Sequence, residues 1–318
     1  MNEREKSMRR REFLKKTTGA GFSALFISGS LFESLQSSTR ANELYSFSIV
    51  KGKDIKKVVK ASIDAIGGMK RFVSKNDIVM IKPNIGWDRT PAQAANTNPE
   101  VIAALIQLCL EAGAKKVKLT DNPCNEARRC FKNSGIADAA RAAGAEVYFL
   151  DERNLIKDKI GGDTLKLWPV YKDFKEVDKI INVPIAKHHG LTRLTLGMKN
   201  LMGAVGGRRN SIHQQIDTSL PDLAEYFKPV LTVVDAMRIL TGNGPQGGSL
   251  SDVMRTDTII AGTDIATVES FAVRHFARYA GKGFKDLNPA DYPFIRIAAE
   301  RGLGTTNITS VKVKEMEV

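Results

Sequence analysis

The stretch from Pro184 to His213 gathers the side chains that move protons and hold anions. It contains His188, His189 and His213, three of the chain's four histidines, together with Lys187, Lys199, Arg208 and Arg209. Gly206-Gly207 stands directly before the arginine pair. A glycine turn lets the backbone approach a ligand closely, and a neighbouring guanidinium fork suits a carboxylate or a phosphate. Histidines among such cations lose affinity for a proton, so they are neutral near pH 7 and free to act as bases or metal ligands. His189, beside Lys187, is the acid/base candidate. His188 and His213 read equally well as surface or helix-end residues, or as weak metal ligands together with Asp264. Asn243-Gly244-Pro245 opens a second glycine-rich segment, either an anion nest and lid hinge or a plain surface turn.

Several chemistries find no support. There is no His-Glu-x-x-His pair and no Gly-Lys-Ser/Thr at phosphate-loop spacing. Gly203-Ala204-Val205-Gly206 follows a helical pattern instead of linking a strand to a helix, so a nicotinamide site is not indicated. A metal could be held only if His188, His189, His213, Asp121 and Asp235 converged, and their spacing does not require it.

The elements that must position these residues alternate. Short β-rich runs are expected at 46–50, 78–81, 117–119, 146–150, 165–168, 179–183, 231–234, 258–261 and 311–314. Helical patterns are expected at 54–66, from Pro99, at 265–278 and at 293–301, with a helix pair before residue 146. Asn98 reads as a helix cap with Pro99 at the first helical position. The pattern predicts an α/β fold, a mostly parallel sheet with helices on both faces, as one domain or two lobes. Lys82, Asp121, Lys187, Asp235 and Asp264 each follow an expected strand, where such sheets bind ligands.

The N-terminus reads as an address. A basic segment carrying Arg10-Arg11-Glu12-Phe13-Leu14-Lys15 precedes a mildly apolar run from Gly19 to Phe32. That run is about fourteen residues, short of the roughly twenty that span a bilayer core, so no stable transmembrane anchor is expected. Residues 1–41 are expected to be a twin-arginine signal peptide, cleaved after Ala41, and 42–318 a single α/β domain. The implied partner is the twin-arginine translocation machinery, and the implied location is periplasmic or otherwise extracytoplasmic. Eight of the 48 Lys/Arg and four of the 35 Asp/Glu lie in residues 1–41, which leaves the remainder at +9 against +13 for the whole chain. With 7% aromatic residues and no nucleic-acid-binding motif, that charge points to a small anionic ligand and not to nucleic acid. Cys109 falls in an apolar helical pattern, and Cys124 and Cys130, six apart, could pair in an oxidising compartment. No Cys-x-x-Cys pair exists, so an iron–sulfur cluster is not supported.

Six short segments occur in an order that identifies a family. They are Ile81-Lys82-Pro83-Asn84, Asn96-Thr97-Asn98-Pro99, Asp121-Asn122-Pro123, Lys187-His188-His189-Gly190-Leu191-Thr192, Met198-Lys199-Asn200-Leu201-Met202-Gly203 and Asn243-Gly244-Pro245. From about Asp77 to Gly304 the chain resembles the domain of unknown function 362 family, some exported members of which carry a twin-arginine signal. The resemblance marks Lys187 and His189 as the matching site residues. His188 stands where a small hydroxyl residue is expected. Many relatives carry ferredoxin-like cysteine clusters that this chain lacks, so their iron–sulfur label is not carried over. A more distant likeness is to the lactate racemase group, which uses a nickel pincer nucleotide. Gly206-Gly207-Arg208 with His189 and Lys199 is similar to that group's arrangement, which leaves a metal ion or a nucleotide-derived cofactor open.

The expected function is that of an exported enzyme acting on a small anionic substrate by Lys/His acid–base chemistry of a racemase, isomerase or lyase kind. His189, Lys199, Asp235 and Lys187 are the catalytic candidates. In that scheme Asp235 orients His189, and Lys199 stabilises developing negative charge. Lys82, Asn84, Asp121, Asn200, Arg208, Arg209 and Asn243 are the substrate-binding candidates. A metal- or cofactor-binding redox protein and a non-catalytic periplasmic anion-binding protein are the alternatives.

Overall fold

Apolar residues in the expected strands are nearly continuous, as they must be where a sheet is covered on both sides. In the computed structural model, which describes residues 45–279 and 287–318, ten strands form one mixed sheet. The strands are β1 (Phe47–Lys51), β2 (Ile78–Pro83), β3 (Lys116–Leu119), β4 (Glu146–Val147), β7 (Lys179–Val183), β8 (Ile185–His189), β9 (Arg193–Thr195), β10 (Leu231–Leu240), β11 (Val253–Gly262) and β12 (Val313–Glu317). A separate hairpin pairs β5 (Leu155–Lys159) with β6 (Leu167–Tyr171). The main order is β12-β1-β11-β10-β7-β2-β3-β4, with β8 beside β10 and β9 beside β8. β11 is antiparallel to β1 and to β10, and β9 is antiparallel to β8. The other pairings are parallel, so the α/β expectation holds.

Among the described residues eight α-helices surround the sheet: α1 (Ile55–Asp64), α2 (Pro99–Glu111), α3 (Ala127–Asn133), α4 (Ile136–Ala142), α5 (Gly197–Asn200), α6 (Ile216–Phe227), α7 (Ile265–Tyr279) and α8 (Pro293–Glu300). The strand period of two sends alternate residues to opposite sides. In β2, Val79 and Ile81 join α1 and α2 in one buried cluster, whereas Met80 joins the cluster of α6, α7 and α8. Asp54 caps α1 by accepting from Lys57 N, and Asn98 caps α2 by accepting from Glu100 N, as the sequence predicts for Asn98.

Several boundaries differ from the sequence expectation. β4 is only two residues long. The strand expected at 165–168 is β6, and its partner β5 was not anticipated. β10 and β11 run on as a long ribbon, so Asp235 lies inside β10 instead of at its end. β8 pairs with β10 at Ile185 and Lys187 and with β9 at Lys187, His188 and His189, so the polar Lys187-His188-His189 segment becomes a strand on pairing alone, without an apolar pattern. Cys109, Cys124 and Cys130 are all free thiols, so Cys124 and Cys130 do not pair. No helix among the described residues is long and apolar enough to cross a membrane. The expected signal peptide, residues 1–41, lies outside the described residues.

Candidate functional site

Because β2, β3 and β7 are parallel, the segments that follow them emerge at one edge of the sheet, where β8 and α5 meet them. A cavity of about 590 Å³ opens there. Of the sequence candidates, Lys82, Asn84, Asp121, Lys187, His189, Lys199, Asn200, Arg209 and His213 line it.

Its floor is an ion pair. Lys82 Nζ lies 2.7 Å from Asp121 Oδ1, with both side chains buried. The same ammonium donates to the Pro83 carbonyl at 2.6 Å and to Asn200 Oδ1 at 3.2 Å. Asp121 also accepts from the amides of Ile85 and Asn122. Burial pulls the Lys82 pKa down, and Asp121 opposes it by charge and hydrogen bond. The pair is internally satisfied, as a buried pair must be to persist. It needs glycine at 203, because a Cβ there would stand 1.9 Å from Asp121 Oδ1. Asn200 is held in turn by Asn182, whose Oδ1 accepts from Asn200 Nδ2 at 2.9 Å and whose Nδ2 donates to the Gly197 carbonyl at 2.9 Å.

Above the floor stand cations without such partners. Lys187 Nζ donates to Asn84 Oδ1 at 2.9 Å and to the Ala95 carbonyl at 2.5 Å. Burial, with the Lys199 and Lys82 charges adding to it, brings its pKa down to about 7. Lys199, lowered to about 8 chiefly by burial, lies 3.1 Å from His213 Nε2. His213 Nδ1 faces the Asn210 carbonyl at 3.1 Å, so it carries the ring proton and Nε2 accepts from Lys199. Arg209 donates to the carbonyls of Asn122 and Pro123. Among the described residues Lys187, Lys199 and Arg209 form no ion pair, and Asp121 is the one carboxylate in the cavity wall.

His189 differs from the sequence expectation in one respect. Its Nδ1 accepts from the backbone amides of Leu191 at 3.1 Å and Thr192 at 3.3 Å. The neutral ring therefore carries its proton on Nε2. Burial first, then Lys199 and His213, lowers its pKa to about 3. Protonation would have to take Nδ1 from both amides. Near neutral pH His189 is thus a fixed hydrogen-bond donor and not a base.

The remaining candidates fall elsewhere. The Asp235 carboxylate, buried in β10 and pushed up to about 6 by burial, accepts from the amides of Asn98 and Met237. It anchors the start of α2 and is not in the cavity wall, so it does not orient His189. Asn243 donates to Asp252, while the next residues, Gly244 and Pro245, do line the cavity. His188 Nδ1 accepts from Gly244 N at 3.0 Å. Asp264 lies exposed just before α7. Arg208 lines a neighbouring cavity. Trp87, Asn122, Cys124, Thr195 and Met202 also line the site, and the sequence reading did not single them out for it.

Metal ligation finds no donor set: among the described residues no three His, Cys, Asp or Glu side chains gather. His189 Nε2 makes no hydrogen bond among the described residues, and the surrounding cations oppose a bare metal ion.

The family model described as Domain of unknown function (DUF362) matches residues 79–274. The chain belongs to the DUF362 family. This DUF362 chain is 27% identical over 257 residues to a thylakoid-associated protein, sll1697, of Synechocystis sp., covering 78% of this chain and 75% of that one. The lactate racemase apoprotein from Thermoanaerobacterium thermosaccharolyticum aligns with a TM-score of 0.41 at 13% identity, over 70% of this chain. The chain spans 55% of that protein's length.

Proposed function

We propose that this protein is an enzyme that removes and returns a proton on a small carboxylate substrate, in a racemase, isomerase or lyase reaction. The observation that carries this reading is Lys199 and Arg209 beside the low-pKa Lys187 in one cavity, with no carboxylate among the described residues left to neutralise the two cations. An anionic substrate supplies the missing charge. A neutral Lys187 amine gives its two hydrogens to Asn84 and Ala95 and keeps a lone pair, which makes it the general base. His189 donates from Nε2 to oxygen as negative charge develops there. The Lys199–His213 pair shares a proton and returns it. Export by the twin-arginine route, on the strength of Arg10-Arg11, belongs to the same proposal.

The test is solvent exchange. Short 2-hydroxy, 2-amino and 3-hydroxy acids are incubated with the protein in D2O, and deuterium at the carbon beside the carboxylate is followed by NMR. The expected result is exchange on at least one acid and a loss of about a hundredfold or more in Lys187→Met. Binding of these acids without exchange in the wild type would instead favour a non-catalytic anion carrier.

A further inference from the structure

The cationic cavity has a neighbour. A second opening of about 610 Å³ is lined by Glu152, Tyr171, Gly206, Gly207, Arg208 and Ser211, among others. The two share Asn122, Arg209 and Asn210 in their walls. Arg209 stands at this boundary and is held there by the carbonyls of Asn122 and Pro123. It therefore ties the loop after β3 to the segment after Gly207, and each compartment takes part of its wall from both pieces.

The turn that presents Arg208 is firmly based. Gly206 N donates to the Pro169 carbonyl at 3.0 Å, and the Trp168 indole donates to the Gly206 carbonyl at 3.2 Å. Val170 bridges to Val205. The β5–β6 hairpin stands outside the main sheet, yet it clamps this turn by its backbone and the Trp168 indole. Gly207 suits the turn by its positive φ, and Gly206 leaves room for Leu155 to pack against the turn. Gly207 has φ 65°, and a Cβ on Gly206 would lie 2.6 Å from the Leu155 side chain. The exposed Arg208 forms no ion pair among the described residues, and Glu152 is the single carboxylate in the second wall. A hairpin-braced turn thus holds an unpaired guanidinium next to the first cavity.

We propose that the two compartments form one bipartite site for an elongated substrate, with its reacting carboxylate among Lys187, Lys199 and Arg209 and a second oxyanion, carboxylate or phosphate, at Arg208. This rests on the anion-binding role given above to the first cavity. It goes further by assigning the substrate two anionic ends.

Calorimetric titration of the full chain separates the two readings. The probes are propionate, which has one anionic end, the α,ω-dicarboxylates from succinate to pimelate, and 4-phosphonobutyrate. The expected result is that at least one two-ended probe binds about tenfold or more tighter than propionate. A preference for 4-phosphonobutyrate over the dicarboxylates assigns a phosphate end, and the reverse a carboxylate end. In Arg208→Gln the ratio of two-ended to propionate affinity falls about tenfold, and in Lys199→Met all the probes weaken together. Equal affinities for one- and two-ended probes, or a ratio that Arg208→Gln leaves unaltered, would overturn the bipartite site while leaving the first cavity's role intact. Failure of every probe to bind would overturn both.

Discussion

The Lys187 amine gives its hydrogens to the Asn84 side chain and the Ala95 carbonyl, while the His189 ring takes hydrogens from two backbone amides through Nδ1. Both groups are buried and both have lowered pKa values. Their partners nonetheless send them to opposite roles, acceptor for the neutral lysine and donor for the neutral histidine. The base form of Lys187 grows as pH rises through about 7, so kcat/KM for an exchanging substrate should rise through an acid limb near that pH. Asn84 Oδ1 favours the ammonium by accepting from it, so Asn84→Leu should move the limb to lower pH. A limb that stays in place would reassign the base to the Lys199–His213 pair. Residue types pointed to Lys187, His189 and Lys199 but not to this division of labour. Whether a histidine gives or takes a proton depends on what its second nitrogen meets, and Leu191 and Thr192 meet it only through backbone geometry.

Among the elements, α5 carries Lys199 and Asn200 into the cavity on a single turn, and its support comes from α7. Glu269 of α7 is fully buried. One carboxylate oxygen accepts from the Met198 amide and the other has no hydrogen-bond partner among the described residues. Burial pushes its pKa from 4.5 up to about 8. Between those values the native protein keeps a proton that the unfolded chain has lost. This contribution to stability is therefore full below about pH 4.5, declines as pH rises, and levels off above about 8. Glu269→Gln removes the titration and keeps an acceptor for Met198. Urea unfolding at pH 5 and pH 8 should show a smaller loss of stability with rising pH in the variant than in the wild type. Equal losses in both would mean that Glu269 is ionised in the native state. The helices flanking the sheet were legible because caps and spacing mark them, as Asn98-Pro99 marks α2. The β8–β9 pair was not legible, since its polar residues are strand only by virtue of their pairing with each other and with β10.

For the whole molecule, the basic balance of +13 and the Arg10-Arg11 segment bear on where the protein works. If the twin-arginine route carries it, Arg10→Lys with Arg11→Lys should leave the full-length chain in the cytoplasmic fraction, whereas the unaltered chain appears shortened outside it. Identical fractionation of the two would remove that route. Folded export suits a site like this one, because its groups come from distant parts of the chain. Lys82 and Asn200 meet across 118 positions, and Lys187 and Asn84 across 103.

The sequence by itself determined the alternation of strands and helices, the order of the family segments and the concentration of Lys, His and Arg between 184 and 213, because these depend on local period and residue type. Only the tertiary structure decided which of the candidate cations remain unpaired. Lys82 is neutralised by Asp121, while Lys187 and Lys199 are left for a ligand. It likewise placed Asp235 under α2 and made His189 a donor. Those outcomes depend on pairing across the sheet and on backbone amides, which no residue type encodes alone.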